Sequence, residues 1–97
     1  MIRVIIERRA KEGKEDELLR ELLDLRTQSM RQPGYVSGET LVGYDDPSLY
    51  VVISTWSAAA YWKTWTILVE RRRIVDRLEP LLSAPEKITV LKFLEAS

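Results

Sequence analysis

The pattern of apolar positions divides the first third of the chain into a strand and a helix. A β-branched run predicts a strand over Ile2 to Arg9, and a break follows at residues 11–14. Leucines then recur three and four residues apart, which predicts a helix from Glu15 to Met30. Pro33 and Gly34 end this helix because proline lacks a backbone donor and glycine permits a left-handed turn.

A hairpin and a second helix are predicted next. Tyr35–Tyr44 and Leu49–Trp56 have the composition of strands, and the turn residues at 45–48 join them as a hairpin. Glycines within the first of these strands indicate a bulge, a bend or the close approach of another group. Ser57 is placed to cap a helix that runs through Trp65.

The rest of the chain completes one α+β domain over residues 1–97. Helical periodicity resumes from Ile67 to Leu82, where Pro80 marks a kink or a new start, and Ile88 to Leu94 predicts the last strand. The order β-α-β-β-α-β is that of a ferredoxin-like fold. Right-handed crossovers place both helices on one face of a four-stranded antiparallel sheet.

The strands do not alternate as they would in a sheet with one wet face. The segment Leu49–Ile53 is apolar almost throughout, and in the last strand Leu91 and Phe93 oppose Ile88 and Val90. Both faces therefore carry apolar side chains, but the helices can cover only one. We expect a homodimer in which the uncovered sheet faces meet.

Composition excludes several classes of protein. The chain has no cysteine and no histidine, so thiolate chemistry and the usual haem and zinc ligands are absent. No metal or cofactor site is predicted. The formal net charge is zero, which argues against a nucleic-acid partner, and no apolar run is long enough for a membrane span or a signal peptide. We expect a cytoplasmic protein.

Several short segments, in order and spacing, resemble the antibiotic biosynthesis monooxygenase family of dimeric α+β barrels. They are Pro33–Tyr35, Gly38–Leu41 and Val52–Ser57, followed by Tyr61 and Trp65 on the next helix. The resemblance covers nearly the whole chain. It implies a homodimer with sheets back to back and a mostly apolar cavity between helices and sheet in each subunit.

Members of this family differ in chemistry. Some oxidise polycyclic phenols with O₂ and no cofactor, and others degrade haem. Trp65 matches the tryptophan of both branches, but the histidine of the haem-degrading branch falls near Val75 and its asparagine near Glu7 or Arg8. Haem degradation is therefore not expected. In the quinone-forming branch an asparagine precedes the tryptophan by one turn, and here Tyr61 takes that place.

Three residues are candidates for catalysis. Trp65 would form a cavity wall that stacks on a planar ligand, although core packing explains a large aromatic equally well. Tyr61 would donate a hydrogen bond to a phenolate or would simply pack. If Glu7 and Glu39 face inward and lie near each other, one of them would act as base toward a phenol, and the alternative is ion pairing with nearby arginines. The run 71–73 is interpreted as a solvated basic face.

Trp56 and Trp62 complete the set of tryptophans. Trp56, at a strand end, is interpreted as structural or as a dimer contact. Trp62 precedes Trp65 by three residues, so the two can lie near one face of the helix, but one of them is expected to face solvent.

Two functions fit the sequence. The first is a cofactor-independent monooxygenase, without metal or flavin, that oxidises a small aromatic or phenolic substrate in an apolar cavity around Trp65. The second is a non-catalytic dimeric α+β barrel that binds a small apolar ligand or acts as a scaffold. A cavity free of buried titratable groups would favour the second.

Overall fold

The computed structural model describes residues 1–94. Its strands are β1 (Ile2–Arg9), β2 (Tyr35–Val42), β3 (Leu49–Trp56) and β4 (Lys87–Lys92). Its helices are α1 (Glu15–Ser29), α2 (Ala59–Thr66) and α3 (Val69–Leu78), followed by a short 3₁₀ turn at Glu79–Leu81. The predicted ferredoxin-like α+β fold is confirmed, with the second helical segment divided into α2 and α3. None of the helices in residues 1–94 is long and apolar enough to cross a membrane.

The four strands form one antiparallel sheet in the order β2-β3-β1-β4. In the register of the sheet, Ile6 of β1 lies opposite Val52 of β3 on one side and Ile88 of β4 on the other. The predicted hairpin is present. Its turn is stabilised by Asp46, whose Oδ1 accepts hydrogen bonds from the backbone N–H (3.1 Å) and the hydroxyl (2.6 Å) of Ser48.

The two faces of the sheet differ because side chains alternate along each strand. The even positions of β1, from Ile2 to Arg8, are buried under the helices, whereas Ile5 and Glu7 lie on the opposite face and are only half-buried. We call the first the helix-covered face and the second the open face. Leu91 and Phe93, about half-exposed, belong to the same side of the sheet as Ile5.

The core lies between the helix-covered face and one stripe each of α1 and α3. In α1 the buried residues Leu18, Leu22 and Leu25 follow helical spacing. In α3 the buried stripe includes Ile74 and Leu78. Burial of these side chains stabilises each by roughly 1.5–3 kcal/mol relative to exposure, which is enough to hold short helices on the sheet.

The helix boundaries after β3 differ from those predicted. Ala58, not Ser57, precedes α2, and no side chain caps the helix. The N–H of Ser57 instead donates to the carbonyl of Gly34 at 2.8 Å, which ties this connection to the turn before β2. Leu68 has extended backbone angles and separates α2 from α3. Pro80 lies in the 3₁₀ turn just beyond α3.

Candidate functional site

A cavity of about 40 Å³ lies between the helix-covered face and the three helices. Its lining includes Leu22 and Leu25 of α1, Trp62 and Trp65 of α2, and Arg71 of α3, with the remaining lining residues on β1, β2, β3 and α1. This volume has room for about three water-sized groups. The exposed residue Arg26 borders it where the end of α1 faces the edge strand β2, so this side forms its mouth.

Four aromatic side chains, here called the aromatic wall, line the cavity: Tyr35, Trp56, Trp62 and Trp65. Tyr35 meets Trp56 edge to face with ring centroids 5.5 Å apart, and Trp56 meets Trp62 at 5.9 Å in the same manner. The indole N–H of Trp56 donates to Ser54 Oγ at 3.0 Å. These contacts fix the rings of Tyr35, Trp56 and Trp62 in place.

The tryptophans are more deeply buried than the sequence suggested. Trp56 is completely buried in the core of this chain. The expectation that Trp62 or Trp65 would face solvent is wrong, since they are only 7% and 3% exposed. Trp62 is covered because its ring packs against Trp56 on one side and under Arg71 on the other.

The structure does not bring the three candidate catalytic residues together. Trp65 lines the cavity. Tyr61 is 44% exposed, and its ring lies so close to Gly34 (φ 83°) that a β-carbon there would overlap it. Glu7 belongs to the open face, beside Lys87 at 3.9 Å. Neither Tyr61 nor Glu7 is among the residues that line the cavity.

Arg8 enters the cavity from β1. It continues the inward series of Ile2, Val4 and Ile6, and its side chain is 1% exposed. Its Nε donates to the Glu86 carboxylate at 2.7 Å. Glu86 immediately precedes β4, and because Lys87 of β4 lies opposite Glu7 of β1, Glu86 lies close to Arg8.

Arg71 enters the cavity from α3. Its guanidinium lies 5.5 Å from the centroid of the Trp62 ring, in cation–π geometry. The interpretation of residues 71–73 as a solvated face is wrong for Arg71, which is 8% exposed, although Arg72 and Arg73 are exposed. The reason is helical period, because Arg71 shares the buried stripe of Ile74 and Leu78.

Several buried polar atoms at the cavity have no hydrogen-bond partner among the described residues. Five buried side-chain nitrogen or oxygen atoms find no hydrogen-bond partner in residues 1–94: Nη1 and Nη2 of Arg8, Nε and Nη2 of Arg71, and Oγ1 of Thr40. All three residues line this one cavity. Most buried polar atoms in proteins are hydrogen-bonded, so their concentration here marks a site with unused donors.

The charges around these donors do not balance. Burial lowers the pKa of Arg8, partly offset by the Glu86 carboxylate. Burial also lowers the pKa of Arg71; Glu86 opposes this shift, while Arg8 and Arg72 add to it. Arginine nonetheless stays protonated in proteins. Two buried cations therefore share one nearby carboxylate, which leaves net positive charge beside an apolar, aromatic cavity.

The two arginines were missed as site residues, although a signal existed for each. Arg8 is at an even position of β1, like the buried apolar residues of that strand. Arg71 falls at helical spacing from the buried apolar residues of α3. A charged residue at a position where the pattern predicts an apolar one can be recognised from the sequence as a candidate site residue. The partner of Arg8, 78 residues away, has no local signal.

Comparison with known proteins identifies the family of this chain. The family model for antibiotic biosynthesis monooxygenases matches residues 1–77. The chain belongs to that family, as the sequence motifs indicated. No curated protein matches the sequence.

Solved structures share the fold over nearly the whole chain. A candidate antibiotic biosynthesis monooxygenase from Nitrosomonas europaea has a TM-score of 0.90 at 19% identity, covering 98% of this chain and 100% of the other. PA3566 from Pseudomonas aeruginosa gives 0.86 at 24%, covering 97% and 94%. SnoaB, a cofactor-independent oxygenase from Streptomyces nogalater, gives 0.84 at 17%, covering 98% and 95%. At these identities the likeness establishes the fold alone.

Proposed function

We propose that this protein is a cofactor-independent monooxygenase that oxidises a small phenolic substrate in the cavity beside Trp65. The observation that carries the proposal is the aromatic wall around a cavity in a chain of this family. The fold is also that of SnoaB, an oxygenase that works without a cofactor. Rigidly packed aromatic side chains position a planar ring and exclude water from it, and such a reaction requires both from the protein.

In the proposed reaction the substrate itself supplies the electrons. A phenolate donates to O₂, one oxygen atom becomes the new carbonyl of the product, and the other leaves as water. A substrate methylene is thereby oxidised to a ketone, as in the conversion of an anthrone to a quinone, so no external reductant is required. The protein orients the ring and excludes water from it, and water at the mouth accepts the phenolic proton.

The base in this scheme differs from the one suggested by the sequence. Glu7 lies on the open face, on the far side of the sheet from Trp65. Glu39 borders the cavity, but it lies opposite Ile53 in the sheet, so its side chain also belongs to the open face. We therefore assign the role of proton acceptor to water at the mouth and not to a carboxylate of the cavity lining.

The active form in this proposal is a homodimer joined through the open faces. Support comes from the apolar side chains there, which the helices leave uncovered: Ile5 and Ile53 at the centre, with Leu41, Leu91 and Phe93 about half-exposed around them. A contiguous apolar surface of this kind is costly in water, and a second copy would remove it from solvent.

The alternative function is that of a non-catalytic barrel that binds a small apolar ligand or acts as a scaffold. The size of the cavity favours the scaffold, because about 40 Å³ is well below the ~150 Å³ of a cavity that holds benzene. In the oxygenase proposal the mouth between α1 and β2 must therefore widen when substrate enters.

Oxygen consumption tests the proposal. Purified protein should take up O₂ with anthrone- and hydroquinone-type substrates, and Trp65→Phe should slow this by about tenfold or more if the indole positions the ring. Tyr44→Phe is the matched control, since Tyr44 is almost fully exposed. Binding without O₂ uptake would support the non-catalytic alternative. Uptake that Trp65→Phe leaves unchanged would contradict the role of the cavity.

A further inference from the structure

The unpaired donors of the cavity form two guanidinium forks. In Arg8 the Nε donates to Glu86, and the end-on pair Nη1 and Nη2 has no partner within residues 1–94. In Arg71 the side-on pair Nε and Nη2 likewise has no partner in this part of the chain. Each pair is two parallel N–H groups on one plane, the arrangement that binds the two oxygens of a carboxylate.

We propose that Arg8 and Arg71 form an anion site that binds the carboxylate of an aromatic acid. The aromatic ring of that ligand lies along the aromatic wall toward the mouth. The proposal rests on the proposed function only in taking this ligand as the substrate; the binding site itself follows from the arginines. The anion site would make the cavity select ligands with a negative charge, whereas the aromatic wall alone would accept a neutral apolar molecule.

Charge and donor number favour a carboxylate over other occupants. A carboxylate supplies one negative charge and about four acceptor positions, which match the single uncompensated cation and the two forks. A phenolate presents one oxygen, which cannot span both prongs of a fork. Water would satisfy donors but would leave the charge of two arginines against one Glu86 uncompensated.

Size leads to the same ligand class. The enclosed volume of about 40 Å³ accommodates a group of about three heavy atoms, which is a carboxylate without its ring. A ring attached to it would extend toward the mouth bordered by Arg26 and Ser29. Thr40, whose buried hydroxyl lacks a partner in residues 1–94, is available as a further donor.

Calorimetric titration with three matched probes tests the site. These are 4-hydroxybenzoate, its neutral analogue 4-hydroxybenzamide, and 4-nitrophenolate, which carries its charge on a phenolic oxygen. We expect the carboxylate to bind about tenfold or more tightly than the amide. Equal affinities for carboxylate and amide, or tighter binding of the phenolate, would overturn the proposal.

Arg71→Met and Arg72→Met form a matched pair of variants. Arg71→Met should abolish the preference for carboxylate over amide, whereas Arg72→Met should change it by less than about twofold, because Arg72 is exposed and paired with Asp76. Should Arg71→Met not fold, Arg71→Lys keeps the charge and loses the fork, and we expect it to weaken the preference. Full preference in the Arg71 variants would contradict the proposal.

Thermal unfolding of the ligand-free protein separates a binding role from a structural one. Arg71 has no ion pair within residues 1–94, so its burial costs more than its contact with Trp62 returns. Arg71→Met should therefore raise Tm, by about 4 °C or more, while it removes carboxylate binding. A lower Tm with carboxylate binding retained would show that Arg71 is structural.

These results are independent of oxygenase activity. Carboxylate binding without O₂ uptake would refute the oxygenase proposal and leave the anion site in place. Rapid O₂ uptake with neutral phenols, together with no preference for carboxylate, would refute the anion site and leave the oxygenase proposal in place.

Discussion

Arg8 and Arg9 are neighbours on β1, yet they lie on opposite faces of the sheet and in opposite surroundings. Arg8 is buried against Glu86 at the cavity, and its Nη1 and Nη2 have no hydrogen-bond partner within residues 1–94. Arg9 is half-exposed on the other side and pairs with Asp46 at the surface. One step along a strand thus changes an arginine from a solvated charge into part of a candidate binding site.

The same contrast holds for the two faces as wholes. The helix-covered face is densely packed, and its buried polar groups converge on one cavity. The open face is apolar at its centre, around Ile5 and Ile53, and charged around it, as in the Glu7–Lys87 ion pair. We infer that the first face carries the chemistry and the second carries self-association.

The largest expected effect is on the helix-covered face. Trp56→Ala should cost about 3–5 kcal/mol in the free energy of unfolding, because a fully buried indole in contact with Tyr35 and Trp62 is removed. Urea denaturation measures this loss. Tyr44→Ala, at an almost fully exposed position, should change it by less than about 0.5 kcal/mol. A small effect at Trp56 would mean that the cavity is loosely packed.

A charge on the open face tests self-association. Ile53→Lys should raise the dimer dissociation constant by about thirtyfold or more, since it places a cation at the centre of the apolar patch. Sedimentation velocity at micromolar concentration measures this change. Leu23→Lys, on the exposed side of α1, is the control. A wild-type monomer, or a dimer unaffected by Ile53→Lys, would contradict the role assigned to this face.

Arg8 and Arg9 provide a direct comparison of the two faces. Arg8→Met should destabilise the fold by about 1–3 kcal/mol, because it leaves the partly buried Glu86 carboxylate without its partner. Arg9→Met removes an exposed ion pair and should cost less than about 1 kcal/mol. Simultaneous replacement of Arg8 and Glu86 by methionine should recover most of the loss. Equal costs for the two single variants would remove the distinction between the faces.

The smallest effect concerns acid pH at the hairpin turn. Hydrogen bonds from Ser48, and then from Arg9, hold the pKa of Asp46 below its ordinary value of 3.8. A lowered pKa means that the stabilisation is present above the ordinary value and is lost as pH falls through the lowered one. The stability advantage of wild type over Asp46→Asn should therefore shrink in strong acid.

Urea midpoints at several pH values would show this change. Asp45→Asn is the control, because it removes a neighbouring charge and leaves the hydrogen bonds to Ser48 intact. An advantage over Asp46→Asn that persists unchanged into strong acid would contradict the account of the turn.

The sequence predicted the framework well because its signals are local. β1 and β3 have the predicted bounds, and α1 ends one residue before the predicted end. The turn residues before β3 and the β-branched runs are strong signals that depend on a few adjacent positions. The sequence also predicted a break after Trp65, close to the observed end of α2, but it did not indicate that Leu68 would have extended backbone angles.

The site was less predictable because it depends on contacts between distant segments. Trp65 was identified by its resemblance to the family and lies at the cavity. Glu7 is at an odd position of β1 and therefore lies on the open face, away from the cavity, which strand alternation alone could have shown. The burial of Arg8 and Arg71 could be inferred from period, but their unpaired donors emerge only when β1, α3 and Glu86 are assembled.

A crystal structure of the protein with 4-hydroxybenzoate is the most direct test of the central claim, that the helix-covered cavity binds an aromatic carboxylate. We expect the carboxylate between Arg8 and Arg71, with N–O distances of about 2.7–2.9 Å to both forks, and the ring against the aromatic wall. A ligand bound on the open face, or a cavity that keeps only water at saturating ligand, would contradict the account.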